Sequence, residues 1–181
     1  MVVGSGAGGM AAALTAAKLG ATSIVLEKTP LVGGTTAYSE AMIWVPCSAQ
    51  AQAAGIEDSI ESALEYIAAA AGNQFDRERM QAYLQSAPAM LSFIEANSAV
   101  RYSLARGSID YYPGLPGATT GARALCAGKF DGRKLGQAFK RLRTPLAATT
   151  ILGGMSIAGT DLPHFYQVGR STRSTAVVAN L

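Results

Sequence analysis

A chain of 181 residues that is 49% apolar and only 15% charged holds enough apolar surface to bury a sizeable core, which excludes a disordered polymer. The net charge of +3 is uneven: residues 1–100 carry 4 Lys and Arg against 9 Asp and Glu, and residues 101–181 carry 11 against 3. The basic residues are scattered through Gly- and Pro-rich sequence without interleaved aromatics, so no nucleic-acid partner is expected.

Cys47 and Cys126 form no CxxC pair, and a single histidine, His164, cannot complete a His-rich metal set. No metal is expected, and a reducing, cytoplasmic setting follows. The opening "MVVGSG" lacks a charged leader region, and no stretch approaches the ~20 apolar residues that span a bilayer. The chain reads as soluble, with no integral membrane segment.

Val2 and Val3 open the chain as a strand that looks clipped, because a strand usually supplies about five residues. "MAAALTAAKLG" favours helix until Gly20 caps it, and "TSIVLEK" suits a short buried parallel strand. Between strand and helix stands a G-x-G-x-x-G turn. Gly4 permits the tight bend, Gly6 lets a pyrophosphate approach the backbone, and Gly9 lets helix and strand pack closely. Ala7 and Gly8 begin the helix, whose N-terminal amides favour phosphate.

Glu27 ends the second strand, with Lys28 beside it. A carboxylate there accepts hydrogen bonds from the ribose of an adenosine and repels a 2′-phosphate, which disfavours NADP. The glycines leave FAD and NAD equally open.

"TPLVGGTTAYSEAMIWVP" reads as a loop rich in Gly and Thr. Helices follow. Asp58 with Glu61 resembles a capping box, and Ile60, Ala63, Leu64, Ile67, Ala68 and Ala71 keep one apolar face. A second helix starts at Asp76, with Met80, Tyr83, Leu84 and Ala87 inward. Pro88 either kinks it or opens a third helix carrying Leu91 and Ile94. From Ser98 onward the chain reads as loop-rich, with a turn cluster at "YYPGLPGATTG" and a strand pair around Gly153 and Gly154.

The run "GSGAGGMAAALTAAKLGATSIVLEK" followed by "GGTTAYSEAMIWVP" resembles the FAD-dependent fumarate reductase and succinate dehydrogenase flavoprotein superfamily, nearest its 3-ketosteroid Δ1-dehydrogenase branch. The resemblance continues through "DSIESALEYI", "RMQAYLQSAPAMLSFIE", "DYYPGLPGA" and "FDGRKLG". It implies an α/β fold: a Rossmann-like FAD-binding βαβ with a following helical segment, and an incomplete domain. Residues 1–46 would form the dinucleotide site and flavin loop, 56–97 the helical segment and 98–181 a loop-rich part with strands. The cap and catalytic domain would be absent.

The resemblance places Gly34, Thr35, Thr36 and Ser39 along the FAD pyrophosphate, ribityl chain and flavin edge. It implies noncovalent FAD, because this segment lacks the histidine through which respiratory members attach theirs. Glu40 stands where the family usually has glycine, either beside the flavin or turned to solvent. Tyr111 falls where the steroid dehydrogenases carry a tyrosine that assists proton transfer; the alternative is a tyrosine packed at a Pro-rich turn.

The implied activity is that of an FAD-dependent oxidoreductase desaturating a 3-ketosteroid or similar ring ketone, with hydride to flavin N5 and a proton to a base. A soluble fumarate reductase-like flavoprotein is the alternative, as is an inactive fragment without turnover. The expected partners are a steroid-like ketone and, through an uncovered face, a second copy or a partner chain.

Overall fold

Val2 and Val3 pair in parallel with a second strand 23 residues further on. The computed structural model describes residues 1–39, 41–151, 155–156 and 161–179. Glu40, Gly153 and Gly154, singled out above, lie outside the described residues. The chain forms two compact units, residues 1–41 with 129–181, and residues 42–128, and each is described by itself.

In the first unit, strand β1 (Val2–Val3) and strand β2 (Val25–Leu26) set Val2 opposite Val25 and Val3 opposite Leu26. Helix α1 (Ala7–Lys18) crosses between them. Its alanines cost little side-chain entropy in a helix. Gly20, with φ +83°, ends it in the left-handed conformation, its amide donating to the Ala17 carbonyl at 3.1 Å. Val3 and Leu26 are 78% and 44% exposed, so one face of this sheet is bare. The stretch read as a Gly/Thr loop is wound into a 3₁₀ turn, Gly34–Tyr38, which Gly33 enters at φ +120°.

In the second unit, strand β3 (Ile43–Trp44) precedes the short helix α2 (Ala49–Ala53), helix α3 (Ile60–Ala71) and helix α4 (Arg77–Asn97). Strands β4 (Tyr102–Leu104) and β5 (Ala124–Ala127) complete an antiparallel sheet in the order β3-β5-β4. Val45, Ala87, Leu91 and Leu125 form its core, with Ile43, Tyr102 and Leu104 packed against them. Burying four such side chains removes them from water at about 25 cal/mol per Å² of apolar surface.

Two expectations are corrected here. The cap of α3 is Ser59, whose hydroxyl accepts from the Ser62 amide at 3.0 Å, not Asp58, whose carboxylate is turned to Arg123. Ser59 wins because its short hydroxyl reaches the N3 amide while an ionised carboxylate is better neutralised by a buried guanidinium. Pro88 does not start a new helix. It sits inside 21 continuous helical residues, and Asp76 caps them by accepting from the Arg79 amide at 3.0 Å.

Returning to the first unit, a 3₁₀ segment Gly132–Arg141 leads to a stretch that runs beside Val32. The Val32 amide donates to the Arg141 carbonyl at 2.7 Å, and the Arg143 amide to the Val32 carbonyl at 2.8 Å. Strands β6 (Thr150–Ile151) and β7 (Met155–Ser156) pair antiparallel, and helices α5 (Leu162–Phe165) and α6 (Thr172–Ala179) follow.

Candidate functional site

The first unit gathers the glycine bend, the end of β2 and the 3₁₀ turn into one polar cluster. At its centre is Ser5, 2% exposed, the residue between Gly4 and Gly6. Its amide donates to Glu27 Oε2 at 3.0 Å, and its hydroxyl donates to the same oxygen. The Gly33 amide in turn donates to Ser5 Oγ at 3.0 Å. Glu27 Oε1 accepts from the Thr29 amide at 3.1 Å. The Ser5 hydroxyl, the Thr29 amide and the Ser5 amide together pull the Glu27 carboxyl down to about 2. At neutral pH it is a fixed anion, an acceptor only, with lone pairs left for further donors.

Two of the three glycines meet a backbone demand. Gly4 has φ +88°. A Cβ at Gly9 would run into the carbonyl of Gly4, 2.9 Å from its carbon. A side chain on Gly8 would meet nothing within 4 Å, so the surface over the first turn of α1 is open. A Cβ at Gly34 would lie 3.3 Å from Gly6 Cα, so the two glycine segments touch backbone to backbone. The Ala7 amide donates to Thr36 Oγ1 at 3.0 Å. The Gly8 and Gly9 amides find no acceptor among the described residues.

These features fit an anionic dinucleotide. Two unpaired amides and the positive end of α1 suit phosphate oxygens, and the open surface leaves them approachable. The ionised Glu27 suits a ribose diol and opposes a 2′-phosphate.

Of the expected site residues, Gly4, Gly6, Ala7, Gly8, Gly9, Glu27, Gly34 and Thr36 come together here. Ser39 lies at the edge of the 3₁₀ turn, its hydroxyl donating to the Thr36 carbonyl at 3.1 Å. Thr35 and Lys28 are exposed beside the cluster. Tyr111 belongs to the second unit, is 94% exposed, and its hydroxyl makes no hydrogen bond among the described residues.

Three contributors escaped sequence reasoning. Ser5 was readable as the residue inside the G-x-G bend, where a short hydroxyl can reach the end of the second strand. Thr29 was readable as the residue two past Glu27. Arg143, which donates to Thr29 Oγ1 at 2.9 Å and to the Tyr38 hydroxyl at 3.1 Å, had no local signal, since 114 residues separate it from Thr29.

In the second unit, Arg123, 1% exposed, is held between two buried carboxylates. Its Nη2 lies 2.7 Å from Asp58 Oδ1 and its Nη1 3.1 Å from Asp110 Oδ2. Its guanidinium also lies over the rings of Trp44 and Tyr66, at 5.4 and 5.9 Å from their centroids. Among the described residues no cluster of His, Cys, Asp and Glu could hold a metal, and no helix is long and apolar enough to cross a membrane.

A parallel strand-turn-helix-strand crossing with a glycine bend and an ionised carboxylate at the end of its second strand defines a dinucleotide-binding domain. The chain belongs to the FAD binding domain family, whose model matches residues 1–181, and FAD is the cofactor of that family. It is 39% identical over 173 residues to a 3-oxosteroid 1-dehydrogenase of Mycolicibacterium smegmatis, covering 96% of this chain and 30% of that protein. It is 36% identical over 179 residues to a 4-oxocyclohex-2-ene-1-carboxylate 5-dehydrogenase of Sinomonas cyclohexanicum, covering 99% and 30%. A crystal structure of 3-ketosteroid delta1-dehydrogenase from Sterolibacterium denitrificans, in complex with 1,4-androstadiene-3,17-dione, superposes with a TM-score of 0.85 at 38% identity. That match covers 98% of this chain and 31% of that one. The chain thus spans about 30% of the length of the relatives it matches.

Proposed function

We propose that this protein is an FAD-dependent oxidoreductase that introduces a carbon–carbon double bond next to the carbonyl of a cyclic ketone, a 3-ketosteroid first among them. The observation that carries the reading is the ionised Glu27 locked beside the glycine bend, with open first-turn amides alongside. The relatives' names supply the substrate class. One name places the dehydrogenation of a 3-oxosteroid at position 1, β to its ketone, and the other that of a 4-oxo ring at position 5, α to its ketone, so both act on ring carbons within two bonds of the carbonyl.

In this reading Gly4, Gly6, Ala7, Gly8 and Gly9 hold the diphosphate, and Glu27 with neighbouring Lys28 faces the ribose. Gly34, Thr35, Thr36 and Ser39 line the path toward the flavin, held noncovalently. Residues 1–46 then make up the dinucleotide site and flavin loop. FAD, when bound, supplies the hydride acceptor. Tyr111 is the proton-transfer group, a role supported by a phenol that no described residue engages. Self-association or a partner chain is supported by the exposed Val3, Ile24 and Leu26. This reading includes a cytoplasmic setting.

The test has two arms. Residues 1–181 are expected to retain flavin absorbance through gel filtration, and failure to bind FAD overturns the cofactor site. The protein as isolated from its source cell is expected to reduce an artificial electron acceptor only when 4-androstene-3,17-dione or a cyclohexenone carboxylate is added. Acceptor reduction with succinate alone, or fumarate-dependent oxidation of a reduced dye, overturns the substrate class.

A further inference from the structure

We propose that Tyr66 and the Asp58–Arg123–Asp110 triad are positioning residues for Tyr111, holding the loop that presents its phenol to substrate. The inference rests on the assignment of Tyr111 above.

The loop runs from Asp110 to Thr119 and is pinned at its neck, its base and one flank. At the neck the Asp110 amide donates to the Thr119 carbonyl at 3.1 Å, and the Thr119 amide donates back to Asp110 Oδ2 at 2.9 Å. Asp110 is itself fixed, because its Oδ1 accepts from Trp44 Nε1 at 2.7 Å while Oδ2 faces Arg123. At the base, the Gly117 carbonyl accepts from Arg123 Nη1 at 2.9 Å and from the Ser62 hydroxyl at 3.2 Å. Gly117 holds φ +72°, and a Cβ there would lie 2.8 Å from the Tyr66 nitrogen of α3. On the flank, the Tyr112 amide donates to the Tyr66 hydroxyl at 3.2 Å.

The contrast within this loop is the argument. Three of the anchors are buried: Arg123 at 1%, Asp110 at 6% and Tyr66 at 7% exposed. Tyr111, flanked on both sides by anchored residues, is 94% exposed. A buried ion triad is an expensive way to stabilise a fold, since desolvation offsets most of its attraction. It is an effective way to fix one backbone geometry, because guanidinium and carboxylate are both directional. The chain thus spends its most buried charge on the residue next to Tyr111 and leaves the phenol itself unengaged. An acid or base misplaced by about 1 Å loses on the order of 10²-fold in rate, so such an anchor matters to proton transfer.

The gentle variant is Tyr66→Phe, which removes one hydroxyl and leaves the triad intact. Asp110→Asn is its companion, keeping size and the acceptor for Trp44. Both are measured in the FAD-loaded protein as its source expresses it, with turnover normalised to bound flavin and compared with Tyr111→Phe. Each is expected to lower kcat about tenfold, with KM within about twofold and FAD affinity unchanged. Added to Tyr111→Phe, neither is expected to lower kcat further. An unchanged kcat per flavin for Tyr66→Phe and Asp110→Asn, with Tyr111→Phe inactive, overturns the positioning role alone. Wild-type turnover by Tyr111→Phe overturns the assignment of Tyr111 itself. Additive losses in the double variants also overturn the proposal, since they show that the loop acts elsewhere.

Discussion

The hydroxyl oxygen of Thr36 lies 3.0 Å from the amide nitrogen of Ala7, so the first amide of α1 is capped from a turn 29 residues away. A helix whose N-cap is glycine has no side chain of its own for this task, and Gly6 makes no capping bond. Thr36→Val keeps the shape and removes the acceptor. It is expected to destabilise the first unit by about 1 kcal/mol in urea titration, the usual worth of a cap. FAD affinity should fall with it, because the 3₁₀ turn is no longer tied to the bend.

The Glu27 carboxyl, held down at about 2 against an ordinary 4.5, gives a signed pH dependence. Its hydrogen bonds to Ser5 and Thr29 favour the ionised form, so the stability they supply is fully present above pH 4.5 and is lost as pH falls toward 2. Acid titration followed by circular dichroism should show the wild type losing stability through that window. Glu27→Gln should be weaker at pH 7 and flatter below it. A Gln profile that matches the wild type throughout would show that the carboxylate is incidental.

Two neighbouring glycines should respond in opposite ways. Gly9→Ala pushes a methyl into the Gly4 carbonyl and is expected to cost about 1–3 kcal/mol, with loss of flavin binding. Gly8→Ala meets open space in a helix and is expected to stabilise the free protein by about 0.5–1 kcal/mol. Thermal melts of the two variants side by side check the pair.

Arg123→Met leaves Asp58 and Asp110 buried without their shared cation. It is expected to destabilise the second unit by about 3–5 kcal/mol, measured by chemical denaturation. Lys at this position should recover little, since an ammonium cannot serve both carboxylates, the Gly117 carbonyl and two aromatic rings at once.

The parts of the site that depend on backbone geometry were legible in the sequence. Gly4 and Gly9 are spaced by what the turn and the helix crossing demand, and Glu27 stands one strand further on. Asp76 and Gly20 likewise announced the ends of their helices, because capping is a local matter. What stayed hidden is tertiary. Asp58 and Glu61 carry the capping-box spacing, yet Ser59 makes the cap because Asp58 is drawn to Arg123, 65 residues away. Pro88 is tolerated because it sits in a helix whose Leu84, Ala87 and Leu91 are buried, and packing of that face outweighs the lost hydrogen bond. Arg143 reaches Thr29 by a chain path that no periodicity records.

Ser5 hands its only hydroxyl proton to Glu27 and receives one from Gly33, so three stretches of chain that are distant in order are latched by a single side chain. Their backbone protons at positions 5, 29 and 33 should therefore trade with deuterium on one shared clock, and slow together when a nucleotide settles on any one of them. A sugar bound at Glu27 would thereby be felt at the start of the 3₁₀ turn without any element having to travel.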